Sequence, residues 1–488
     1  MTKTLCIAML LVLACAASGA RLVRLGGIDS DTPLRLQAEG YDVTAGNIRE
    51  GWVDVYIEDE SRVDELAKHS SEVRVLPREW GELLPENSRD AGYFYSPEEN
   101  WSFWCGLAAS HPDLADTPVV VGQSYENRDI YTIQMTSSAG PPDKPAIYFS
   151  SLIHAREPGG NSVVIDYAQW LANEYGNDTM ATFILDNAEV HFMPVANPDG
   201  YLENMPGGGM HRKNMNYTEG DGIDLNRNWP HKWGYDDSGS SPDPYDATYR
   251  GSSPASEPET QVQMDYIDDL APIAAMNYHT YGDLLLYPWG FNNTPTPDQS
   301  LFEGWSAQMT QYNGYEYGRA GQLLYNVNGE QNDYCYSDTL GSPSVLAFTP
   351  EVGSSFWEGQ SDTTAIEEYC EECRYMNIML CMNALSFVGV EGAQQHVIEP
   401  SLFLGRVSPN PVPAGSFTVG VTAPDGQDVS LQLYDIAGRT VADLGGVRGS
   451  GNPTSVMRAV PDGLPSGVYM LVASGGGSVS RQRLTLLR

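Results

Sequence analysis

The chain has 488 residues, 41% of them hydrophobic, and a formal net charge of −37 from 64 acidic and 27 basic side chains. That acidity argues against a nucleic-acid-binding surface, which needs clustered Lys and Arg to meet phosphate. Beyond the first twenty positions no apolar run is long enough to cross a bilayer, and the length predicts several domains.

In chain order, Lys3, the apolar run Leu5 to Ala14 and the small residues through Ala20 predict a secretory signal peptide over residues 1–20. The expectation is a secreted or cell-surface protein exported by a bacterial-type route. Residues 21–88 read as a small α+β unit: a strand at Trp52 to Ile57, a helix at Ser61 to His69 and a strand at Glu72 to Leu76. It carries no cluster of catalytic residue types, and its place before the next region suggests a pro-segment, with a permanent accessory domain as the alternative. Purifying the secreted protein and reading its N-terminus tests this, because a start near Ala20 refutes cleavage.

Residues 89–388 change pattern. Ser96 to His111 reads as a helix, with Ser96 as N-cap, then Pro97 and two acids in the first turn. Short apolar runs at Val119 to Val121, Ile130 to Met135, Ala146 to Ile153, Glu189 to Val195 and Ala274 to Tyr278 alternate with helix-length segments. This predicts an α/β domain with a mixed central β-sheet flanked by helices, whose ligand sites lie at the carboxyl ends of strands. After the signal region five cysteines remain, an odd count. Cys370, Cys373 and Cys381 sit at helical spacing and read as buried small residues or one disulfide set. Residues 389–401 read as a linker. Residues 402–488 are rich in Gly, Val and Pro and predict a small β-sandwich, with strands at Ser416 to Val421, Ser430 to Tyr434, Ser455 to Ala459 and Gly467 to Ala473.

Chemistry concentrates in three places. His154 and Glu157, three apart at a strand-to-helix corner, can point at one metal, and His279 follows another strand end. Two His, one Glu and a water form a hydrolytic zinc set. In Gly222 to Trp229, Asp224 can orient a ligand His, and Asn226 and Arg227 can bind a carboxylate; an ordinary polar turn is the competing reading. Asp236, Asp237, Asp243 and Asp246 form an acidic loop that reads as a solvated loop or as a Ca2+ site, although their spacing is not that of a defined calcium loop.

Taken together, the motifs resemble a known family. His154-Ala155-Arg156-Glu157, Asn197 to Tyr201, Arg212-Lys213-Asn214, Asp224 to Trp229, Tyr249-Arg250-Gly251, Ser256 to Glu259, His279-Thr280-Tyr281, Leu284 to Gly290 and Phe348 to Glu351 occur in its order. Residues from about Tyr93 to Ser386 are similar to the zinc metallocarboxypeptidases of the funnelin type, carboxypeptidase A and the bacterial carboxypeptidase T branch. The resemblance implies one Zn2+ on His154, Glu157 and His279, with Asp224 behind a ligand His. It implies Glu351 as general base, although Pro350 departs from the usual run, and Arg212 as oxyanion stabiliser. Asn226, Arg227 and Tyr325 would grip the terminal carboxylate of peptide or protein C-termini, and Arg156 would support substrate on the non-prime side. The side-chain pocket would hold Leu286, Gly290, Ala320, Val327, Glu330, Asn332 and Thr349. Asn332 stands where carboxypeptidase B-like members place an acid, and Glu330 stands where carboxypeptidase T-like enzymes carry one, implying hydrophobic specificity with basic residues tolerated.

The tail has its own likeness. Val407 to Pro411, Leu433 to Arg439 and Gly463 to Tyr469 resemble the C-terminal sorting domains of type IX-secreted proteins, implying contact of residues 402–488 with secretion or surface-attachment machinery. The expected activity is release of C-terminal amino acids. Its rivals are trimming of cell-wall murein peptides on the same fold, and a catalytically silent surface peptide-binding protein.

Overall fold

The structure, a computed structural model, describes residues 19–76, 94–205, 208–337, 344–358, 363–390, 392–393, 402–408, 412, 415–435, 438–451, 454–461 and 463–486. Most of the expected signal peptide, the end of the expected pro-segment at 77–88 and most of the expected linker at 389–401 lie outside the described residues. So do Pro409 to Pro411 and Ile436-Ala437 of the tail motifs. The chain divides into two compact units, Met1–Arg78 and Glu79–Arg488.

In the first unit, β1 (Arg21–Gly26), α1 (Thr32–Ala38), β2 (Asp42–Asn47), β3 (Trp52–Ile57), α2 (Val63–Leu66) and β4 (Glu72–Val75) build an antiparallel sheet of order β2-β3-β1-β4. Val23, Leu25, Leu36, Val53, Val55 and Leu66 are fully buried. Strand β1 escaped the sequence reading because Arg24 interrupts its apolar run. Its guanidinium lies 3.9 Å over the Trp52 ring and pairs with the buried Asp54 at 2.8 Å.

The second unit opens with α3 (Pro97–Ser110), which begins at the expected cap. Glu99 N–H donates to Ser96 Oγ and Ser96 N–H to Glu99 Oε2, at 3.2 and 2.8 Å. Then follow β5 (Val119–Gln123), β6 (Asp129–Met135), β7 (Ala146–Ser151), α4 (Pro158–Glu174), α5 (Thr179–Asn187), β8 (Glu189–Met193), α6 (Pro198–Glu203) and α7 (Pro258–Leu270). After them come β9 (Ala274–Tyr278), β10 (Leu284–Leu286), α8 (Gln299–Met309), β11 (Glu316–Gly318), α9 (Ala320–Leu323), α10 (Gln331–Tyr336), β12 (Leu346–Glu351) and α11 (Thr363–Phe387).

The eight strands run β11-β10-β12-β9-β7-β8-β6-β5. β8, β7, β9 and β12 are mutually parallel at the centre, flanked by β6 and β10, which run antiparallel to them. This is the expected mixed sheet flanked by helices. From β7 the chain goes to β8 on one side, and β9 lies on the other, so the order reverses beside β7. Such a reversal leaves a crevice beyond the strand ends. β7 and β9 are buried along their whole length, as a sheet covered on both faces requires.

The tail forms two small sheets, β13 (Phe403–Ser408), β14 (Ser416–Thr422) and β17 (Thr454–Ala459) facing β15 (Asp428–Asp435), β16 (Thr440–Arg448), β18 (Gly467–Gly475) and β19 (Ser478–Leu486). Leu404, Phe417, Val419, Leu431, Leu471 and Leu484 are among the side chains that close the core between them. The sandwich meets α11, where buried Gln482 donates to Glu372 Oε1 at 3.2 Å and to the Leu404 carbonyl at 3.3 Å. All five described cysteines are free thiols. Cys381 lies 3.2 Å from Tyr167 Oη and Cys373 lies 3.6 Å from Tyr315 Oη, which makes the α11 cysteines buried packing residues.

Candidate active site

β7 and β9 run in parallel register, with Ser151 opposite Tyr278, so the loops after them emerge side by side. One carries His154, the other His279, and α4 begins immediately after Glu157. Helix α4 comes close to β9 because Gly160 has no side chain: a Cβ there would fall 2.8 Å from Tyr278 Cβ. β12 pairs with β9 on the other side, and His279 and Glu351 share a rung, His279 N–H donating to the Pro350 carbonyl at 2.9 Å.

Among the described residues, the ligand atoms of His154, Glu157 and His279 all lie within 4.8 Å of one another. The His154 and His279 Nδ1 atoms are 3.0 Å apart, and Glu157 offers Oε1 to the first and Oε2 to the second, each at 2.9 Å. Ligand atoms around a tetrahedral zinc at ~2.0–2.1 Å lie roughly 3.3–3.4 Å apart, so the trio needs only a few tenths of an ångström to fit. Two imidazole lone pairs and a carboxylate converging out of water also favour a cation on electrostatic grounds alone. Burial would raise Glu157, but the two imidazoles outweigh it and hold the carboxyl far below its usual range. Burial keeps His279 below its ordinary value, in the neutral form that ligates.

Behind the trio, Asp224 Oδ1 lies 3.1 Å from His154 Nε2, while Oδ2 accepts from Arg212 Nε and Nη2 at 3.1 and 2.9 Å. Burial works against this carboxylate, yet Arg212, Arg227 and His154 hold it well below its normal value. Arg212 Nη1 lies 3.6 Å from Glu157 Oε1, facing the metal position. The motifs in between tie the loops together: Ala155 N–H donates to the Arg212 carbonyl (3.0 Å), and Asn197 Nδ2 bridges the carbonyls of Ile153 and Lys213 (3.3 and 3.0 Å).

Glu351 keeps some solvent contact at its surface, yet the packing around it and the charge of Glu157 push its carboxyl well above the usual range, against Arg212 and Arg227. Arg227 is buried, donates from Nη1 to the Asn226 carbonyl at 2.9 Å and has no hydrogen-bond partner for Nε among the described residues. Asn226 Oδ1 accepts the Gln331 N–H at 3.0 Å, leaving its amide nitrogen toward the site. Tyr325 lies just beyond α9 and is buried.

In the pocket wall, Asp333 accepts the N–H groups of Gly290 and Phe291 at 2.8 and 3.0 Å, and a Cβ on Gly290 would fall 1.9 Å from Glu330 Oε1. Burial, then the neighbouring Asp333, raises Glu330 well above its ordinary value, and burial raises Asp333 to about 7. Asn332 Oδ1 is buried without a partner among the described residues.

Arg156 is only 1% exposed, with its guanidinium 4.6 Å over the Phe356 ring and Nη1 donating to the Met210 carbonyl at 3.4 Å, so it lies beneath Phe356. One expectation changes. The four aspartates of the acidic loop do not converge. Asp236 accepts from Ser238 N, Gly239 N and Asn328 Nδ2, Asp237 pairs with Arg250, Asp243 caps Tyr245 N and Asp246 accepts from Ser241 Oγ. One oxygen of each meets a protein donor, and among the described residues they form no metal-holding cluster, which leaves the Ca2+ reading without support. The sequence reading passed over Asn277, Gln331 and Phe356, which line or back the site without belonging to a dense motif.

A family model described as zinc carboxypeptidase matches residues 101–375. Carboxypeptidase A1 of Sus scrofa is 33% identical over 257 residues, covering 51% of this chain and 60% of that protein. Carboxypeptidase A1 of Rattus norvegicus is 31% identical over 267 residues, covering 53% of this chain and 62% of that protein. The chain thus spans about three fifths of the length of these curated relatives. Among solved structures, carboxypeptidase A from Helicoverpa armigera aligns with a TM-score of 0.64 at 21% identity, over 76% of this chain and 98% of that one. Thrombin-activatable fibrinolysis inhibitor aligns with a TM-score of 0.61 at 22% identity, over 76% and 99%. At such identities the structural likeness establishes the fold.

Proposed function

Because this chain belongs to the zinc carboxypeptidase family, we propose that it is a secreted zinc-dependent carboxypeptidase that hydrolyses the last peptide bond of peptides and proteins. The observation that carries this reading is the meeting of the His154, Glu157 and His279 donors with a buried guanidinium, Arg227, that still has an unspent donor. A buried cation with an unmet donor is costly, and a substrate carboxylate satisfies it, each charge-assisted bond contributing about 1.5–3 kcal/mol. A chain without a free C-terminus forfeits those bonds.

His154 Nδ1, Glu157 and His279 Nδ1 would hold the ion. Zinc, when bound, supplies Lewis acidity that polarises the scissile carbonyl and acidifies water. Arg227 and the Asn226 amide hold the terminal carboxylate, assisted by Tyr325, which fixes the last peptide bond over the trio. Glu351 takes a proton from the attacking water and returns it to the leaving amine, the two-way transfer of a positioned carboxylate. Arg212, braced by Asp224, donates to the oxygen on which negative charge develops.

In the side-chain pocket the neutral form of Glu330 suits apolar residues. Ionised Glu330 and the unpartnered Asn332 Oδ1 can receive Lys or Arg. Residues 1–20 would direct export, 21–88 would act as a pro-segment and 402–488 would engage attachment machinery.

The test is amino-acid release by the full chain from matched peptides ending in Phe, Lys or Glu, each with a free or amidated C-terminus, with and without chelator. Release from free-ended peptides alone, lost with chelator and restored by zinc, is expected. Equal cleavage of amidated peptides would overturn the exopeptidase reading.

A further inference from the structure

The two ligand imidazoles are braced differently. A ligating ring must carry its proton on the nitrogen away from the metal, and a hydrogen-bond acceptor there fixes that form. His154 has such an acceptor in Asp224, 3.1 Å from Nε2. His279 faces only side-chain amides: Asn277 Nδ2 at 3.0 Å and Asn226 Nδ2 at 3.5 Å. Its Nδ1 looks toward Glu157 and His154, so Nε2 must carry the proton in the metal-binding form. A protonated Nε2 against an amide nitrogen would set donor against donor, so one amide has to present oxygen.

Asn226 cannot do so. Its Oδ1 accepts the backbone N–H of Gln331 at 3.0 Å, and turning the amide would break that bond and set two donors together. Asn277 is not held in this way. It is buried, two residues before His279 on β9, and among the described residues its Oδ1 contacts only the hydroxyl of Ser150 at 3.2 Å, a group with two lone pairs that accepts as readily as it donates and already accepts from Gln331 Nε2 at 3.5 Å. A half-turn of the amide brings Oδ1 to His279 Nε2 and sends Nδ2 to Ser150 Oγ.

We propose that Asn277 is the positioning residue that fixes the metal-binding tautomer of His279, with Ser150 as the partner that stabilises the turned amide. The inference rests on reading the trio as the zinc site and adds to it the acceptor that His279 otherwise lacks. It predicts two unlike supports for one metal, a carboxylate behind His154 and a neutral amide behind His279.

The experiment measures zinc affinity of the full chain by competition with a chromophoric chelator, for the wild type, Asn277→Ala and Asn277→Asp, with thermal unfolding of the metal-free proteins as a control of folding. Losing an outer partner of a ligand typically costs ~10–100-fold in metal affinity, and that loss is expected for Asn277→Ala. Asn277→Asp, whose carboxylate accepts from Nε2 in either orientation, should bind at least as tightly as the wild type. Wild-type affinity retained in Asn277→Ala overturns the proposal, as does an equal loss in both variants, which would mean that shape alone matters. If Asn277→Ala does not fold, nitrogen-15 spectra of the zinc-loaded wild type decide: a proton on His279 Nε2 is expected, and one on Nδ1 refutes the assignment. A wild type that binds no zinc would instead refute the metal site itself.

Discussion

At the level of single side chains, the proposed roles divide into groups that would bind the ion and groups that would move protons. Glu351→Gln should keep zinc and lose roughly 10²–10⁴-fold in kcat, because the amide fills the same space without accepting a proton; metal content and turnover measured on one preparation check this. Gly290→Ala should reproduce Glu330→Ala. The new methyl would fall 1.9 Å from Glu330 Oε1 and drive that flexible carboxyl away, so both variants should lose release of Lys relative to Phe, read on paired peptides. If neither shifts the ratio, Glu330 does not read the substrate side chain. The ligands and the Asp224 support were legible because they lie in dense motifs, one at a strand-to-helix corner. The burial of Arg156 was not: Phe356, which covers it, lies two hundred positions away, and no local pattern reports a stacking partner. Asn277 was also silent, since an Asn in a buried strand looks like any polar interruption until its neighbour is seen.

Among the elements, α11 buries an unusual carboxyl, Glu372. Burial, reinforced by Glu368, raises Glu372 to about 8 from its ordinary 4.5, and Oε2 has no partner among the described residues. Below about pH 4.5 folded and unfolded chains both hold the proton, so the group is neutral to stability. Between 4.5 and about 8 the unfolded chain releases a proton that the folded chain keeps, and stability falls as pH rises through that window. Glu372→Gln removes the penalty and keeps an acceptor for Gln482. Thermal scans should therefore find the variant more stable than the wild type at pH 8 and equal to it below pH 4.5. Strands β3 and β9 were legible to the residue because apolar side chains dominate them, with Asp54 and Asn277 as single polar interruptions. β12 was not, because Pro350 reads as a breaker. Its missing N–H is tolerated at this rung, and its carbonyl instead receives the His279 N–H. The polar strands β16 and β19 escaped as well, since their residues carry little apolar alternation, although each pairs in a hairpin with the strand just before it.

On the scale of the whole chain, the order of the three regions could be read from shifts in composition, but the contact between the last two could not. Glu372 and Gln482 meet across 110 positions, inside one compact unit. Metal should stabilise this unit by mass action, about 2.7 kcal/mol at a free zinc concentration one hundred times Kd. Chelation should accordingly lower its melting temperature, and added zinc should restore it, by calorimetry on the full chain.

The shared rung of β9 and β12 reaches further than catalysis. His279 and Glu351 sit opposite each other only in one pairing of those strands, and a slip of one residue would turn their side chains to opposite faces. Recovered turnover after refolding is therefore a register gauge. Circular dichroism counts strands whether or not they are paired correctly, whereas activity returns only to molecules in which this rung has closed, so the lag between the two signals times the final alignment of the sheet.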